Sequence, residues 1–174
     1  MMAKTIPDII KEGLRKDEIL ALDIAEHCGY YINIDNYGVA YFPTNDKAPK
    51  KLGPDYNQYI AFADWLEDMI LKHHIKVLAV EELNFSRYAL STIKLAQLHG
   101  VMLLVAAEMG IPVRYFNVKS IKKHTTGNGN ADKKLMLKYA AERYHLDFEG
   151  KHDACDAACV WFYFVHLYKN DLKR

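Results

Sequence analysis

The sequence has little of several features that would narrow its class at once. It contains only three cysteines, Cys28, Cys155 and Cys159, and no two of them form a CxxC pair. The odd count and the lack of a secretory leader predict reduced thiols in a cytoplasmic protein rather than a disulfide framework. The formal net charge is only +1, so bulk charge gives no argument for a polyanionic partner and local clustering has to decide.

Long hydrophobic runs are also scarce. The longest, VMLLVAAEM and VWFYFVHLY, fall short of the roughly 18 apolar residues of a membrane span, and they predict buried helix. Hydrophobic residues make up 51% of the chain and charged residues 26%, which are ordinary values for a globular protein. We therefore expect a hydrophobic core and no membrane partner.

What the sequence does contain is an ordered series of strand and helix patterns. Apolar or alternating runs predict five strands, at 18–25, 29–36, 38–44, 75–82 and 113–118. Helical spacing and helix-stop signals predict helices at 5–16, 56–73, 86–109, 131–145 and 152–168, with a basic, glycine-containing loop at 119–130. The helix at 86–109 carries an apolar stripe of Ala89, Ile93, Ala96, Gly100, Leu103 and Ala107.

This order predicts an α/β fold with a five-stranded mixed sheet, in which a three-strand antiparallel meander is followed by two parallel strands, with helices on both faces. Residues 1–17 are expected to form an N-terminal helical extension to a domain spanning 18–174. Right-handed crossovers bring the carboxyl ends of parallel strands to one edge of the sheet, where sites form in such folds.

Four acidic residues stand where this topology brings chain segments together. Asp23 interrupts the first strand, Glu81 ends the fourth, and Asp153 and Asp156 share a face of the first turn of the last helix. Taken singly, each has a simpler explanation as a strand-end acid, a solvated loop acid (Glu81 or Glu82) or a helix-capping aspartate. Taken together, they predict an oxygen-only site for Mg²⁺ or Mn²⁺, the ions that hydrolyse phosphodiesters in two-metal sites.

His152, beside these aspartates, has two interpretations. It is either a surface residue at the start of the helix, which we put slightly ahead, or a group that assists the metal site or moves protons, since histidine titrates near neutrality. His152, Cys155 and Cys159 also have the i, i+3, i+7 spacing of one helical face, which raises the question of zinc. Three ligands on one helix without an evident fourth favour buried helical cysteines instead.

A basic run lies between residues 114 and 138. Against one acid, Asp132, it contains Arg114, Lys119, Lys122, Lys123, Lys133, Lys134 and Lys138. Such a run is usually a solvated face, but beside an acidic metal cluster it predicts a surface for a nucleic-acid backbone. The stretch TTGNGNADKK within it is either a phosphate-binding turn ahead of a helix or a plain loop with an N-cap at Asn130.

In order and spacing, these segments resemble the RuvC family of Holliday-junction resolvases, within the RNase H-like nuclease superfamily, over about residues 18–165. The resemblance is carried by ILALDIA, VLAVEELNF, RYALSTIKLAQLHGVMLLVAAEMGIPVRYF, VKSIKKHTTGNGNADKK and HDACDAACV. It implies an RNase H-like fold and metal-dependent cleavage of four-way DNA junctions by paired symmetric nicks. It also implies a homodimer, which suits a symmetric substrate.

The resemblance further implies roles for individual residues. Those that match the family's metal-binding acids are Asp23, Glu81, Asp153 and Asp156, with Glu81 preferred over Glu82. They are expected to hold two Mg²⁺ ions, which Mn²⁺ is expected to replace. The DNA-contacting lysines of the family are matched by Lys122 and Lys133, and Lys123 is expected to position the DNA backbone with them.

The sequence departs from the family in two places. Where the family has Pro-Gly or a similar tight turn after its first acid, this chain reads DIAEHCGY. Where the family often has a base-unstacking aromatic three residues after the second acid, this chain has Asn84 followed by Phe85, which is either a shifted equivalent or a core residue. The alternatives left open are a nuclease acting on RNA or an RNA–DNA hybrid and an inactive junction-binding protein. No helicase partner is indicated.

Overall fold

The computed structural model describes residues 4–43, 56–83, 89–148 and 150–173. Its strands are β1 (Ile19–Asp23), β2 (His27–Asn33), β3 (Asn36–Tyr41), β4 (Val77–Glu81) and β5 (Val113–Phe116). Its helices are α1 (Ile6–Lys11), α2 (Tyr56–Lys72), α3 (Ala89–Glu108), α4 (Val118–Thr126), α5 (Lys133–Tyr144) and α6 (His152–Leu167), and a 3₁₀ turn lies at Lys16–Glu18.

The strands form one mixed sheet in the order β3-β2-β1-β4-β5. Strands β1, β2 and β3 are antiparallel neighbours, whereas β4 lies parallel to β1 and β5 lies parallel to β4. The predicted meander with two parallel strands is therefore confirmed. Because Leu22 of β1 pairs with Val80 of β4, the next residues, Asp23 and Glu81, fall side by side at the carboxyl edge of the sheet.

Alternation along the strands divides the core into two layers. Ala21 belongs to the layer that α6 covers, whereas Leu22 belongs to the layer under α2 and α3. Strand β4 repeats this pattern, with Ala79 in the first layer and Val80 in the second. Successive strand residues point to opposite faces, so the acids that end β1 and β4 lie on the face that α6 covers.

Helix α6 packs on the sheet through small side chains and contacts β1, β2, β3 and β4. Ala154, Ala157 and Ala158 of α6 are fully buried, as is Phe164 further along the helix. Small side chains on both surfaces let a helix and a sheet approach closely. The first turn of α6 consequently lies over the carboxyl edge of the central strands, which is where the predicted site falls.

The N-terminal segment is built into the same layer. Ile6, Ile9 and Leu14 are buried in the cluster that contains the α6 residues. The carbonyl of Leu14 also accepts a hydrogen bond of 2.9 Å from the backbone amide of Lys173. The helix predicted over 5–16 is shorter in the structure, and the domain boundary placed at residue 17 stays a prediction.

The loop predicted over 119–130 is wrong for most of its length, because Val118–Thr126 forms α4. Asn117 caps this helix by accepting a hydrogen bond of 3.0 Å from the Lys119 amide, and Gly127 ends it with a φ of 80°. Ile121 and Thr125 are buried, whereas Lys119 and Lys123 are exposed and Lys122 is half-buried. The helix was missed because its sequence is mostly polar, although both end signals are present.

The side of helix α3 that packs in the core is not the side that carries the predicted apolar stripe. The described members of that stripe face solvent: Ile93, Ala96, Gly100, Leu103 and Ala107. The residues that pack in the core are instead Leu98, Met102, Val105 and Ala106. Both sides of the helix are apolar, so the hydrophobic periodicity does not identify the core-facing side.

The apolar character of α3 also corrects the expectation that no segment reaches the length of a membrane span. By length and composition Leu90–Glu108 is apolar enough to cross a membrane, with a mean hydropathy of 1.5. Core helices of soluble proteins share this length and composition. One side of α3 packs on the sheet, and its other side is an exposed apolar face.

The packing of α6 predicts a large cost for Phe164→Ala. The ring is fully buried and lies edge-on to Phe116 with centroids 6.0 Å apart, so its removal is expected to lower the free energy of unfolding by about 3–5 kcal/mol. Leu167→Ala, on the same helix but 46% exposed, is the control and is expected to cost below ~1 kcal/mol. Urea unfolding followed by circular dichroism measures both, and equal losses would contradict the packing described.

Candidate active site

Three aspartates meet between the end of β1 and the first turn of α6. Ligand oxygens of Asp23, Asp153 and Asp156 all lie within 4.8 Å of one another. Asp23 is the last residue of β1, and the two α6 aspartates are three residues apart, so they project from the same side of the helix. All three residues are half-buried. Carboxylates gathered in this way are suited to sharing a cation.

Glu81 stands beside this cluster at the end of β4. It borders a cavity of about 210 Å³ together with Asp156 and Lys133, and a second cavity of about 110 Å³ together with Asp23 and His99. The negative charge of Glu81 is among the causes that raise the pKa of Asp23. The structure therefore brings the three aspartates together and places Glu81 next to them, outside the group whose ligand oxygens all lie within 4.8 Å of one another.

Burial and mutual repulsion perturb the carboxyl groups of this cleft. The pKa of Asp23 is raised well above its ordinary value, first by burial and then by the charges of Asp156, Glu81 and Asp153. The pKa of Asp156 is also raised, chiefly by burial, while the charge of Lys133 acts in the opposite direction. The raised pKa values show that ionised carboxylates are disfavoured here without more positive charge nearby. A cation bound between the carboxylates would supply that charge.

Two lysines supply part of that charge. The Nζ atom of Lys133 lies 3.5 Å from an oxygen of Asp153 and 3.8 Å from an oxygen of Asp156. The Nζ atom of Lys122 donates a hydrogen bond of 2.8 Å to the carbonyl of Ala131, which ties α4 to the segment before α5. The ammonium of Lys133 therefore occupies a position between these two aspartates that favours positive charge.

The start of α5, which carries Lys133, differs slightly from the prediction. The helix begins at Lys133, and its N-cap is Asp132, whose carboxylate accepts a hydrogen bond of 2.8 Å from the Leu135 amide. Asn130, the N-cap expected from the sequence, lies two residues earlier in the connection between α4 and α5. The capping aspartate fixes the first turn of α5, and with it the origin of the Lys133 side chain.

Lys123 and His152 lie outside the cleft. Lys123 is exposed on α4. His152 is exposed at the start of α6 and borders a separate cavity of about 600 Å³ with Lys138 and Phe148. This position favours the surface interpretation of His152, although its charge still acts to lower the pKa of Asp156.

Glu82 directly follows Glu81 but has a different neighbour. Its carboxylate accepts a hydrogen bond of 3.0 Å from the side chain of Asn117, the residue that caps α4. It also borders the smaller cavity. The bond to Asn117 gives Glu82 a structural role and favours the choice of Glu81 as the metal-binding acid, which stays a prediction. Phe85 lies outside the described residues.

The structure adds His99 of α3, which the sequence analysis did not single out. Its side chain is buried, with 8% of the residue exposed, and its ring stacks on Tyr115 with centroids 5.9 Å apart. It borders the smaller cavity with Asp23 and Glu81, and burial lowers its pKa. A histidine in an apolar helical run is a weak signal, because only the packing of α3 shows where it points.

The mixed sheet, with carboxylates from two adjacent strand ends and from the first turn of the last helix, defines an RNase H-like domain. Comparison with known sequences specifies the family. A family model described as crossover junction endodeoxyribonuclease RuvC matches residues 21–162. The chain therefore belongs to the RuvC family, as the sequence motifs predicted.

Individual relatives show the extent of this similarity. The crossover junction endodeoxyribonuclease RuvC of Brachyspira hyodysenteriae is 36% identical over 85 residues, which cover 48% of this chain and 53% of that protein. The RuvC of Syntrophomonas wolfei is 28% identical over 134 residues, covering 76% of this chain and 74% of that protein. The chain thus spans little more than half the length of the Brachyspira relative.

Two solved structures share the fold. RuvC of Thermus thermophilus in complex with a Holliday junction substrate matches with a TM-score of 0.68 and 17% identity, covering 89% of this chain and 97% of that one. The yeast mitochondrial Holliday junction resolvase Ydc2 matches with a TM-score of 0.58 and 15% identity, covering 96% and 88% respectively. At these identities the likeness shows the fold alone.

The electrostatics of the cleft predict that Asp23→Asn stabilises the metal-free protein at high pH. Because the pKa of Asp23 is raised in the folded state, stability falls as the pH rises from the ordinary aspartate value near ~4 through the folded value. The neutral amide removes this loss, so its melting temperature in EDTA should exceed that of the wild type at pH 8 and converge with it toward pH 4.

Thermal melts across this pH range measure the effect. Each kcal/mol shifts the melting temperature of a domain of this size by about 2–4 °C, so a difference of several degrees is expected. Asp35→Asn, an exposed acid between β2 and β3, is the control and should show no such trend. A variant at Asp23 that melts below the wild type at pH 8 would contradict the repulsion described.

Proposed function

We propose that this chain is a Mg²⁺-dependent endodeoxyribonuclease that resolves four-way DNA junctions by paired symmetric nicks. The observation that carries the proposal is the meeting of Asp23, Asp153 and Asp156, with Glu81 at the adjoining cavities and lysines beside them, in a chain of the RuvC family. The acids are suited to holding cations at the scissile phosphate, and the lysines to holding the neighbouring DNA backbone.

The donor set supports Mg²⁺ as the cofactor. The clustered ligands are carboxylate oxygens, which suit Mg²⁺ or Mn²⁺ better than zinc, and four acids are enough for two ions. Two such ions, when bound, supply an activated water and stabilise the leaving 3′ oxygen. Lys133, whose ammonium lies 3.5 Å from Asp153 and 3.8 Å from Asp156, would then be available to a phosphate oxygen of the DNA.

The basic side of the cleft supports a DNA substrate. Lys122 and Lys133 border the larger cavity together with Glu81 and Asp156, so phosphate-binding and metal-binding groups share one wall. Lys123 lies on the exposed side of α4, where it can reach the phosphates that flank the cleavage point. Contacts of this kind position the nucleic acid rather than read its sequence.

The exposed face of α3 supports the homodimer. Ile93 is 51% exposed and Leu103 is 45% exposed, and exposed small residues, Ala96 and Gly100, lie between them on the same side. A helix with large apolar residues flanking small ones can pack closely against a copy of itself. We propose that two copies meet along this face, which would set two clefts on opposite strands of the junction.

The remaining proposals concern location and organisation. The three cysteines are free and buried, which suits the reducing cytoplasm. Residues 1–17 are proposed as an N-terminal extension, of which the described part packs into the α6 layer through Ile6 and Ile9.

Cleavage of a synthetic four-way junction tests the function directly. Wild-type protein is expected to make paired nicks in Mg²⁺ or Mn²⁺ and none in EDTA. Asp23→Asn and Asp156→Asn are expected to cut at least about 10²–10³-fold more slowly, because loss of a charged group at the reacting centre has effects of this size. Asp35→Asn serves as the folded control.

The same assay separates the alternatives. Preferential cutting of an RNA–DNA hybrid would indicate that the substrate contains RNA and is not a four-way DNA junction. Tight junction binding with no turnover in either ion would make the protein a binding module. Full activity of Asp23→Asn would contradict the proposed active site.

The dimer is tested by Leu103→Glu. A buried charge at a helix pair is costly, so this variant is expected to sediment as a monomer and to lose the pairing of the two nicks. Leu71→Glu alters an exposed leucine of α2, 63% exposed, and should leave the mass unchanged. A wild-type protein that is monomeric by sedimentation at micromolar concentration would contradict this proposal.

A further inference from the structure

Gly29 of β2 lies at a close contact between the sheet and α6. A Cβ atom placed on Gly29 would be 1.9 Å from the carbonyl oxygen of Asp153, 2.2 Å from its carbonyl carbon and 2.9 Å from the backbone nitrogen of Ala154. These are backbone atoms of the first turn of α6, which cannot turn aside as the end of a side chain can. Only glycine fits this position without a shift of the helix or the strand.

The same residue is paired with Asp23 across the sheet. In the antiparallel register of β1 and β2, Gly29 is directly opposite Asp23, and directly opposed residues point to the same face. That face is the one that α6 covers, as the burial of Ala21 and Tyr31 in its layer shows. The first turn of α6 therefore rests on Gly29 immediately beside Asp23.

We infer that Gly29 is a positioning residue for the carboxylate cluster. The absence of a side chain at Gly29 sets the height of the α6 first turn above the sheet, and this height brings Asp153 and Asp156 within reach of the cation that Asp23 also holds. The inference rests on the proposed function, in which these carboxylates bind divalent cations.

The size of the forced displacement supports this role. Carbon and carbonyl oxygen atoms in close contact normally lie about 3.3–3.6 Å apart, so a methyl group at Gly29 requires about 1.4–1.7 Å of extra separation beyond the 1.9 Å available. Functional constellations tolerate displacements of only about 0.5 Å. Even the smallest side chain is expected to separate the α6 aspartates from Asp23 by more than a shared cation allows.

Gly38 of β3 provides a matched control. It also lies on a strand, and a Cβ atom placed on it would contact the side chain of Tyr30, with the hydroxyl oxygen 3.0 Å away. This neighbour is a side chain, so it can give way. Neither Gly29 nor Gly38 has a positive φ, so alanine at either position tests space rather than backbone conformation.

The experiment measures Mn²⁺ binding by calorimetry to the full chain, the Gly29→Ala variant and the Gly38→Ala variant. Gly38→Ala is expected to bind Mn²⁺ within about twofold of the wild type. Gly29→Ala is expected to bind at least about 10-fold more weakly, the lower end of the range for residues that orient metal ligands. Thermal melts in EDTA should stay cooperative for both variants, and both should still bind the junction in EDTA.

Cleavage then separates positioning from a general loss of structure. For Gly29→Ala, the rate at a fixed junction concentration should recover as Mn²⁺ is raised, while the affinity for the junction in EDTA remains that of the wild type. A loss of junction binding together with metal binding would instead indicate a distorted fold and would overturn the inference.

Two further results would also overturn it. Mn²⁺ affinity of Gly29→Ala within twofold of the wild type would show that the α6 first turn adapts without moving its carboxylates. A Gly29→Ala chain without a cooperative melt would make Gly29 a requirement of the whole fold. Failure of the wild type itself to bind Mn²⁺ is a separate outcome, which rejects the proposed function before any variant is compared.

Discussion

The close packing of α6 on the sheet is the constraint on which the rest of the molecule depends, because it holds like charges together. Carboxylates from β1 and α6 meet, with Glu81 of β4 next to them, although burial and repulsion raise the pKa values of Asp23 and Asp156. Apolar contact between the alanines of α6 and the strands offsets the unfavourable free energy of this burial and repulsion. The packing of the adjacent core thus holds carboxylates together although they repel one another. A divalent cation bound between them would reduce this repulsion.

The sheet and the positions of the acids at its carboxyl edge were predictable because their signals are local and their geometry follows from simple rules, whereas the metal-binding role of the acids stays a prediction. Apolar runs indicated the strands, and parallel connections place the ends of β1 and β4 at one edge. The alternation of faces then puts Glu81, rather than Glu82, on the side of Asp23. Helix α4 was missed for the opposite reason: it buries only Ile121 and Thr125, so its hydrophobic pattern is too sparse to indicate a helix.

Other features of the site depend on contacts between distant segments, and no pattern in the sequence reveals them. Both sides of α3 are apolar, so its core side follows only from its packing, and so does the position of His99 beside Asp23. The ion pairs of Lys133 depend on where α5 begins relative to α6. The role inferred for Gly29 depends on a contact with Asp153, which is far away in the chain.

The segment in which the chain departs from its family illustrates the difference between a motif and a constraint. The family's tight turn after the first acid is replaced by Ile24-Ala25-Glu26, yet the antiparallel register still sets Gly29 opposite Asp23. A shift of one residue in that register would turn Gly29 to the other face and bring Cys28 or Tyr30 beneath α6. Neither side chain fits where even a single methyl group would lie 1.9 Å from the Asp153 carbonyl oxygen. The turn residues of this chain thus differ from the family's pattern, whereas the space beneath α6 fixes the register between Asp23 and Gly29.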